Sequence, residues 1–187
     1  MSDWHNRSHC NRTHVDEGVL RYFYGVLGCR SLLDIGCGPG GQLEKALEVG
    51  YAMVQGLDGD PAVRSAYVST HDFLDSAAPS VFFGGSGFDL AWCNEFLEHI
   101  PEDKLDNVWP CFDACKYAAI TAHPPTGKKI EFHYNEQDCE YWIAKFKARG
   151  WAYDSYETEQ AREASTMQRD FFRDYGLVFF NPNWKGK

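Results

Sequence analysis

The chain predicts one α/β domain: a largely parallel β-sheet covered by helices on both faces. Three observations carry this. Short apolar runs alternate with segments whose apolar residues recur at helical spacing, the pattern of strand–helix–strand units. The first such run ends in a glycine-rich loop that opens a helix. No repeat, low-complexity tract or Pro/Gly-rich linker divides the 187 residues, and that length suits one domain of about 100–200 residues.

In chain order, residues 1–14 are polar and lack an apolar period, so they read as an arm or lid ahead of a single domain over 15–187. A helix is predicted from about Val15 to Leu27, with Val19, Leu20 and Phe23 on its apolar stripe. Thr13 with Asp16 offers its cap and Gly28 its stop. Ser31–Ile35 is the first strand and Gln42–Val49 a helix closed by Gly50, followed by a second strand, Met53–Leu57. Asp60-Pro61 supplies a cap and a first-turn proline for a short helix to about Ala66. Strands follow at Ala66–Thr70 and, after turn-rich Gly84–Gly87, at Phe88–Cys93. Glu102–Cys115 is helical with a break at Pro110, and Tyr117–Thr121 is the fifth strand. A helix over Asn135–Arg149, a strand at Trp151–Tyr153, a polar helix over Thr158–Asp174 and a closing strand at Leu177–Phe180 complete the chain. The final pair of strands is compatible with an antiparallel finish.

Composition narrows the partners. The formal charge is −9 and the basic residues are scattered. Nucleic-acid binding draws much of its affinity from Lys and Arg set against phosphates, so a nucleic-acid partner is disfavoured and a small uncharged or cationic one is favoured. No apolar run approaches the ~20 residues of a membrane span, and the first residues lack a signal-peptide pattern. Seven cysteines without a C-x-x-C pair read as reduced thiols, which points to a cytoplasmic location.

The most informative stretch is Leu32-Leu33-Asp34-Ile35-Gly36-Cys37-Gly38-Pro39-Gly40-Gly41. Glycines there let the backbone turn sharply and let a ligand approach, while the following helix turns unpaired N–H groups toward it. Gly36, Gly38 and Gly41 also meet the dinucleotide G-x-G-x-x-G spacing. Against that reading stands Asp34, two residues before the first glycine, where a pyrophosphate gains nothing from a carboxylate and a sulfonium or ammonium does. Around this loop the sequence resembles the class I S-adenosylmethionine-dependent methyltransferases, from about Ser31 to Trp151. The resemblance implies a Rossmann-like, doubly wound sheet of seven strands, six parallel and the last antiparallel. It also implies S-adenosylmethionine as cofactor, bound across the carboxyl ends of the strands.

Further residues fit that resemblance. Asp34, Gly36, Cys37, Gly38 and Gly40 form the cofactor turn. Asp58, with Gly59, closes the second strand where the family places the acidic residue on the ribose hydroxyls; a carboxylate accepts both. Asp72 and Phe73 match the pair beside the adenine, and Asn94 and Glu95, opening a Leu-Glu-His-Ile segment, border the methionine moiety.

Methyl transfer is an in-line displacement whose protein demands are alignment, exclusion of water and, for some acceptors, proton removal. Glu95, His123 and His133 are the candidate catalytic residues, with His99 assigned to bracing the following turn. No metal site is expected. His5, His9, Cys10 and His14 have no second ligand cluster to complete a tetrahedron, and no paired carboxylate set of the catechol-methylating type is present. Arg7 and Arg12 are candidates for the methionine carboxylate. The strand-4 exit lacks the Pro-Pro-aromatic pattern of amino-methylating DNA enzymes, and no Pro-Cys nucleophile occupies that region. By elimination the acceptor is an O or N atom of a small molecule. The alternatives are a non-catalytic module that keeps the cofactor pocket and, on the glycine spacing alone, a nicotinamide-dependent oxidoreductase. These residues leave the acceptor's identity and the oligomeric state open.

Overall fold

Seven strands form one sheet in the order β3-β2-β1-β4-β5-β7-β6. The structure is a computed structural model that describes residues 14–83, 85 and 87–185. The strands are β1 (Ser31–Ile35), β2 (Met53–Asp58), β3 (Val68–Thr70), β4 (Phe88–Cys93), β5 (Cys115–Ile120), β6 (Ala152–Tyr153) and β7 (Leu177–Phe180). β1 pairs in parallel with both β2 and β4, so the chain winds outward on one side and then crosses to the other. That reversal opens a crevice at the carboxyl ends of β1 and β4, where open α/β sheets bind ligands. β7 runs antiparallel to β5 and β6 and lies between them, as the resemblance implies.

Side-chain alternation divides the core into two layers. Leu32, Leu90, Trp92 and Val178 face one layer with Val19, Leu20, Phe23 and Phe172. Leu33, Ala91 and Phe179 face the other with Trp109, Phe112 and Phe146. The first layer is roofed by α1 (Glu17–Gly25), α2 (Gly41–Val49), α5 (Ser155–Ala164) and α6 (Phe171–Tyr175); the second by α3 (Trp109–Asp113) and α4 (Cys139–Ala148).

Four local expectations are corrected. The cap of α1 is Asp16 alone, whose Oδ1 accepts from Val19 N at 3.1 Å; Thr13 and the arm lie outside the described residues. Asp60-Pro61 starts no helix, because Asp60 Oδ1 accepts from Ala62 N (2.8 Å) and closes a turn. Residues Glu102–Asn107 form 3₁₀ turns, and Pro110 falls in the first turn of α3, where its missing N–H costs nothing. α4 begins at Cys139, capped by Asp138, since Asn135 N is drawn to Glu98 O at 3.0 Å.

The expected helix over Thr158–Asp174 is two helices, α5 and α6. Asp16 causes the break: its carboxylate accepts from Ser165 Oγ at 2.5 Å and from Thr166 N at 2.9 Å. A buried carboxylate with fixed donors outweighs the continuation of a polar helix.

Candidate active site

The crevice beyond β1, β2 and β4 opens into a cavity of about 1090 Å³. Its floor is the glycine turn between β1 and α2. Gly36 N and Cys37 N donate to Leu57 O at 2.8 and 3.2 Å, which ties the turn to β2. Gly36 has φ +74°, and a Cβ there would lie 2.2 Å from Phe96 Cδ2, so this position needs glycine on two counts. Gly38 N donates to Asp58 Oδ2 and Asp60 N to Asp58 Oδ1, both at 2.8 Å. Those bonds fix the Asp58 carboxylate beside the turn.

Asp34 is only 3% exposed, and among the described residues no basic side chain meets it. Burial, and then the charge of Asp58, hold its carboxyl well above the usual carboxylate range. A carboxyl in that state gains from a cationic ligand and loses from a phosphate. The glycine turn therefore fits a sulfonium or ammonium and disfavours a dinucleotide.

The opposite wall is the exit of β4. Glu95 adopts φ +51°, an uncommon conformation for a side-chain-bearing residue. It is held by Glu95 N donating to Thr121 Oγ1 at 3.0 Å, with Thr121 Oγ1 also 2.9 Å from Glu95 Oε1 and 2.8 Å from Asn94 Oδ1. His123 Nδ1 is 3.5 Å from Glu95 Oε2. Burial lifts the Glu95 carboxyl, against a downward pull from the Thr121 hydroxyl and His123. His133 Nδ1 meets Glu136 Oε1 at 2.8 Å, and burial lowers its titration although Glu136 opposes that. The His123 and His133 rings lie 5.2 Å apart.

The structure thus brings Asp34, Gly36, Cys37, Gly38, Asp58, Gly59, Asp72, Phe73, Asn94, Glu95, His123 and His133 around a single cavity. Gly40 departs from this set. It caps α2 with φ +91°, and a Cβ there would face Leu43 and Val68 at 3.5 Å, within the protein. The turn needs Gly40 for its backbone, not for ligand approach. His99 reaches across to the loop after β5, its Nδ1 3.1 Å from Phe132 O. Sequence reasoning passed over Glu98, in the Leu-Glu-His-Ile segment, and Arg169, which lies in the break between α5 and α6. No local pattern marked Arg169, because that stretch read as continuous helix. His14 also lines the cavity, with its ring 5.1 Å from Phe171, while Arg7 and Arg12 lie outside the described residues.

Fold and crevice together define a class I S-adenosylmethionine-dependent methyltransferase domain. Residues 33–116, from the glycine turn into β5, match the family model described as "Methyltransferase domain". No curated protein sequence matches the chain. Among solved structures, it is similar to the methyltransferase domain of bacterial CtHen1-C, at 15% identity and TM-score 0.59 over 88% of this chain and 96% of that one. A S-adenosylmethionine-dependent methyltransferase from Archaeoglobus fulgidus aligns at 18% identity and TM-score 0.57, covering 86% and 90% of the two chains. The plantazolicin methyltransferase BpumL, solved in complex with S-adenosylhomocysteine, aligns at 14% and 0.57, covering 88% and 82%. At these identities the likeness is one of fold. Among the described residues no helix is long and apolar enough to cross a membrane.

Proposed function

We propose that the chain transfers the methyl group of S-adenosylmethionine to an oxygen or nitrogen of a small molecule within this cavity. The observation that carries the reading is Asp34, a buried carboxyl without a cation, beneath a glycine turn and beside an anchored Asp58. Bound S-adenosylmethionine supplies an activated methyl on a positive sulfur. Asp34 and Asn94 hold the methionine end. Asp58 accepts from the ribose hydroxyls with the lone pairs its backbone donors leave. Asp72 and Phe73 border the adenine, and Arg169 takes the carboxylate role assigned in sequence to Arg7 and Arg12. Glu95 with His123 is the proton acceptor nearest the β4 exit, and His133 stands behind them.

Two properties favour a small, neutral or cationic acceptor. The cavity of about 1090 Å³ exceeds the roughly 300–1,000 Å³ that houses one drug-sized ligand, leaving room for an acceptor beside the cofactor. Its wall carries Asp34, Asp58, Asp72, Glu95, Glu98 and Glu131 against Arg169 as the one Lys or Arg among the described lining residues. A cytoplasmic location belongs to the same reading, supported by free thiols at Cys29, Cys37, Cys93, Cys111, Cys115 and Cys139.

Calorimetric titration with S-adenosylhomocysteine tests the cofactor half. Asp58→Asn removes charge-assisted bonds of about 1.5–3 kcal/mol and should weaken binding roughly 10- to 150-fold. Absence of heat at high micromolar ligand would reject the reading. Transfer of labelled methyl to a panel of small alcohols and amines tests the acceptor half.

A further inference from the structure

The geometry points to a divalent transition-metal site in the acceptor half of the cavity, with Glu98, His99 and His133 as its protein ligands. The cation half of this inference stands by itself; its use in holding an acceptor oxygen rests on the methyl-transfer reading above.

Ligand atoms of Glu98, His99 and His133 lie within 4.8 Å of one another. Bonds of about 2.0–2.2 Å to imidazole nitrogen and carboxylate oxygen put neighbouring ligands of one ion roughly 3–3.5 Å apart. Small side-chain rotations close the difference. Two imidazoles and one carboxylate form the donor set that holds Mn²⁺, Fe²⁺ or Zn²⁺ and leaves open positions for water or substrate.

The surrounding hydrogen bonds prepare both histidines for this task. His99 Nδ1 is 3.1 Å from Phe132 O, and His133 Nδ1 is 2.8 Å from Glu136 Oε1. Acceptors at Nδ1 place the proton there, so the lone pair of each ring is at Nε2. A histidine whose second nitrogen is fixed by a carbonyl or carboxylate is the usual metal-ligating arrangement. The rings meet edge to face with centroids 4.7 Å apart.

A second observation, independent of the cluster, is unsatisfied polarity. Glu98 is 1% exposed, lines the cavity, and its Oε2 has no hydrogen-bond partner. His123 Nε2, on the ring next to His133, is likewise buried and unpartnered. A buried carboxylate oxygen without a donor costs about 1–3 kcal/mol or more. A cation beside Glu98 removes that cost. No motif in the sequence announces the site, because its ligands come from the β4 exit and from a loop 34 residues further on. The ion would stand next to Glu95 and His123, where its open positions suit a hydroxyl-bearing acceptor.

The test uses the full chain after chelator treatment, with no methyl donor present. Mn²⁺ added alone should bind at one site by calorimetry, and pulsed EPR of the bound ion should show ¹⁴N couplings from two imidazoles. His133→Ala should weaken Mn²⁺ binding at least 100-fold, and Glu136→Gln, which only orients His133, about 10- to 100-fold. Both variants should bind S-adenosylhomocysteine as the unchanged protein does, which also shows that they are folded. Absence of Mn²⁺ and Zn²⁺ binding, or bound Mn²⁺ without imidazole couplings in the unchanged protein, overturns the site. The EPR reading needs no variant. Metal binding without S-adenosylhomocysteine binding would instead overturn the methyl-transfer reading and leave the site standing.

Discussion

Replacing Gly36 by alanine imposes two costs that the structure separates. The backbone there has φ +74°, which disfavours any Cβ by about 1–2 kcal/mol. The added Cβ would also lie 2.2, 2.4 and 2.7 Å from Cδ2, Cγ and Cβ of Phe96. The last atom is anchored to the backbone, so Phe96 cannot rotate clear, and relief requires moving the β4 exit. Overpacking of this kind costs about 1–3 kcal/mol, for a sum near 2–5 kcal/mol. Gly28 is the control: its φ is +72°, and an added Cβ would meet nothing within 4 Å. Gly28→Ala therefore carries only the backbone cost, partly offset by a stiffer unfolded chain worth about 0.4–1 kcal/mol. At about 2–4 °C per kcal/mol for a domain of this size, Gly36→Ala should lower Tm by about 4–20 °C and Gly28→Ala by no more than about 4 °C. Scanning calorimetry reads both, and titration with S-adenosylhomocysteine should show weakened binding for Gly36→Ala only. Equal Tm shifts for the two variants would refute the assignment of Gly36 as the close-contact point between glycine turn and β4 exit.

Asp16→Ala removes the acceptor for Val19 N, Thr166 N and Ser165 Oγ and leaves buried donors behind, so urea denaturation should show a loss of about 3–5 kcal/mol; a loss below about 1 kcal/mol would show that Asp16 does not hold the α5–α6 break. Asp34→Asn should raise the stability of the ligand-free protein at neutral pH. Because burial and Asp58 hold the folded-state titration above its unfolded value, the fold's hold on that proton contributes fully below about pH 4 and is lost as pH rises through the displaced titration. Denaturation between pH 4 and pH 8 should show a smaller fall with pH in the variant, and identical pH slopes would contradict the argument. The Cys29 thiol is pushed up to about 12 by burial and then by the charge of Asp89, so iodoacetamide should leave it unmodified in the folded protein at pH 9, as peptide mass spectrometry will show.

What was legible in the sequence is what depends on neighbours in the chain. Ser31–Ile35, Phe88–Cys93 and Leu177–Phe180 stand where apolar runs put them, and the glycine turn with Asp58 is readable because loop, strand end and cap lie within 30 residues. What escaped depends on partners far along the chain. Ser165 and Thr166 leave the helical path because Asp16, 149 residues before Ser165, offers a carboxylate. The short helix after Asp60 fails because its side chain takes Ala62 N into a turn, a competition that a Pro at the next position does not reveal. Within the site, Gly40 reads like its neighbours in the motif, and only the direction of its missing Cβ separates it from Gly36. The meeting of His99 with His133 is set by the loop after β5, which has no strand or helix period to place it.

Three buried carboxyls divide this molecule into scaffold and site. Asp16 is fully buried, yet its oxygens accept from Val19 N, Thr166 N and Ser165 Oγ, so its charge is solvated by the protein and its role ends with the fold. Asp34 and Glu98 are nearly as buried, but no cation meets Asp34 among the described residues, and Glu98 keeps one oxygen without a donor. Both line the cavity. An amide or an aliphatic side chain at either place would make a more stable ligand-free protein, so the fold carries these two groups at a cost. That cost is recovered only when positive charge enters the cavity. The two carboxyls stand on different walls, Asp34 on β1 under the glycine turn and Glu98 beyond β4, so one small cation cannot serve both. The asymmetry argues for two positive centres in the loaded site: the charged end of the methyl donor over Asp34, and a metal ion at Glu98 beside the acceptor.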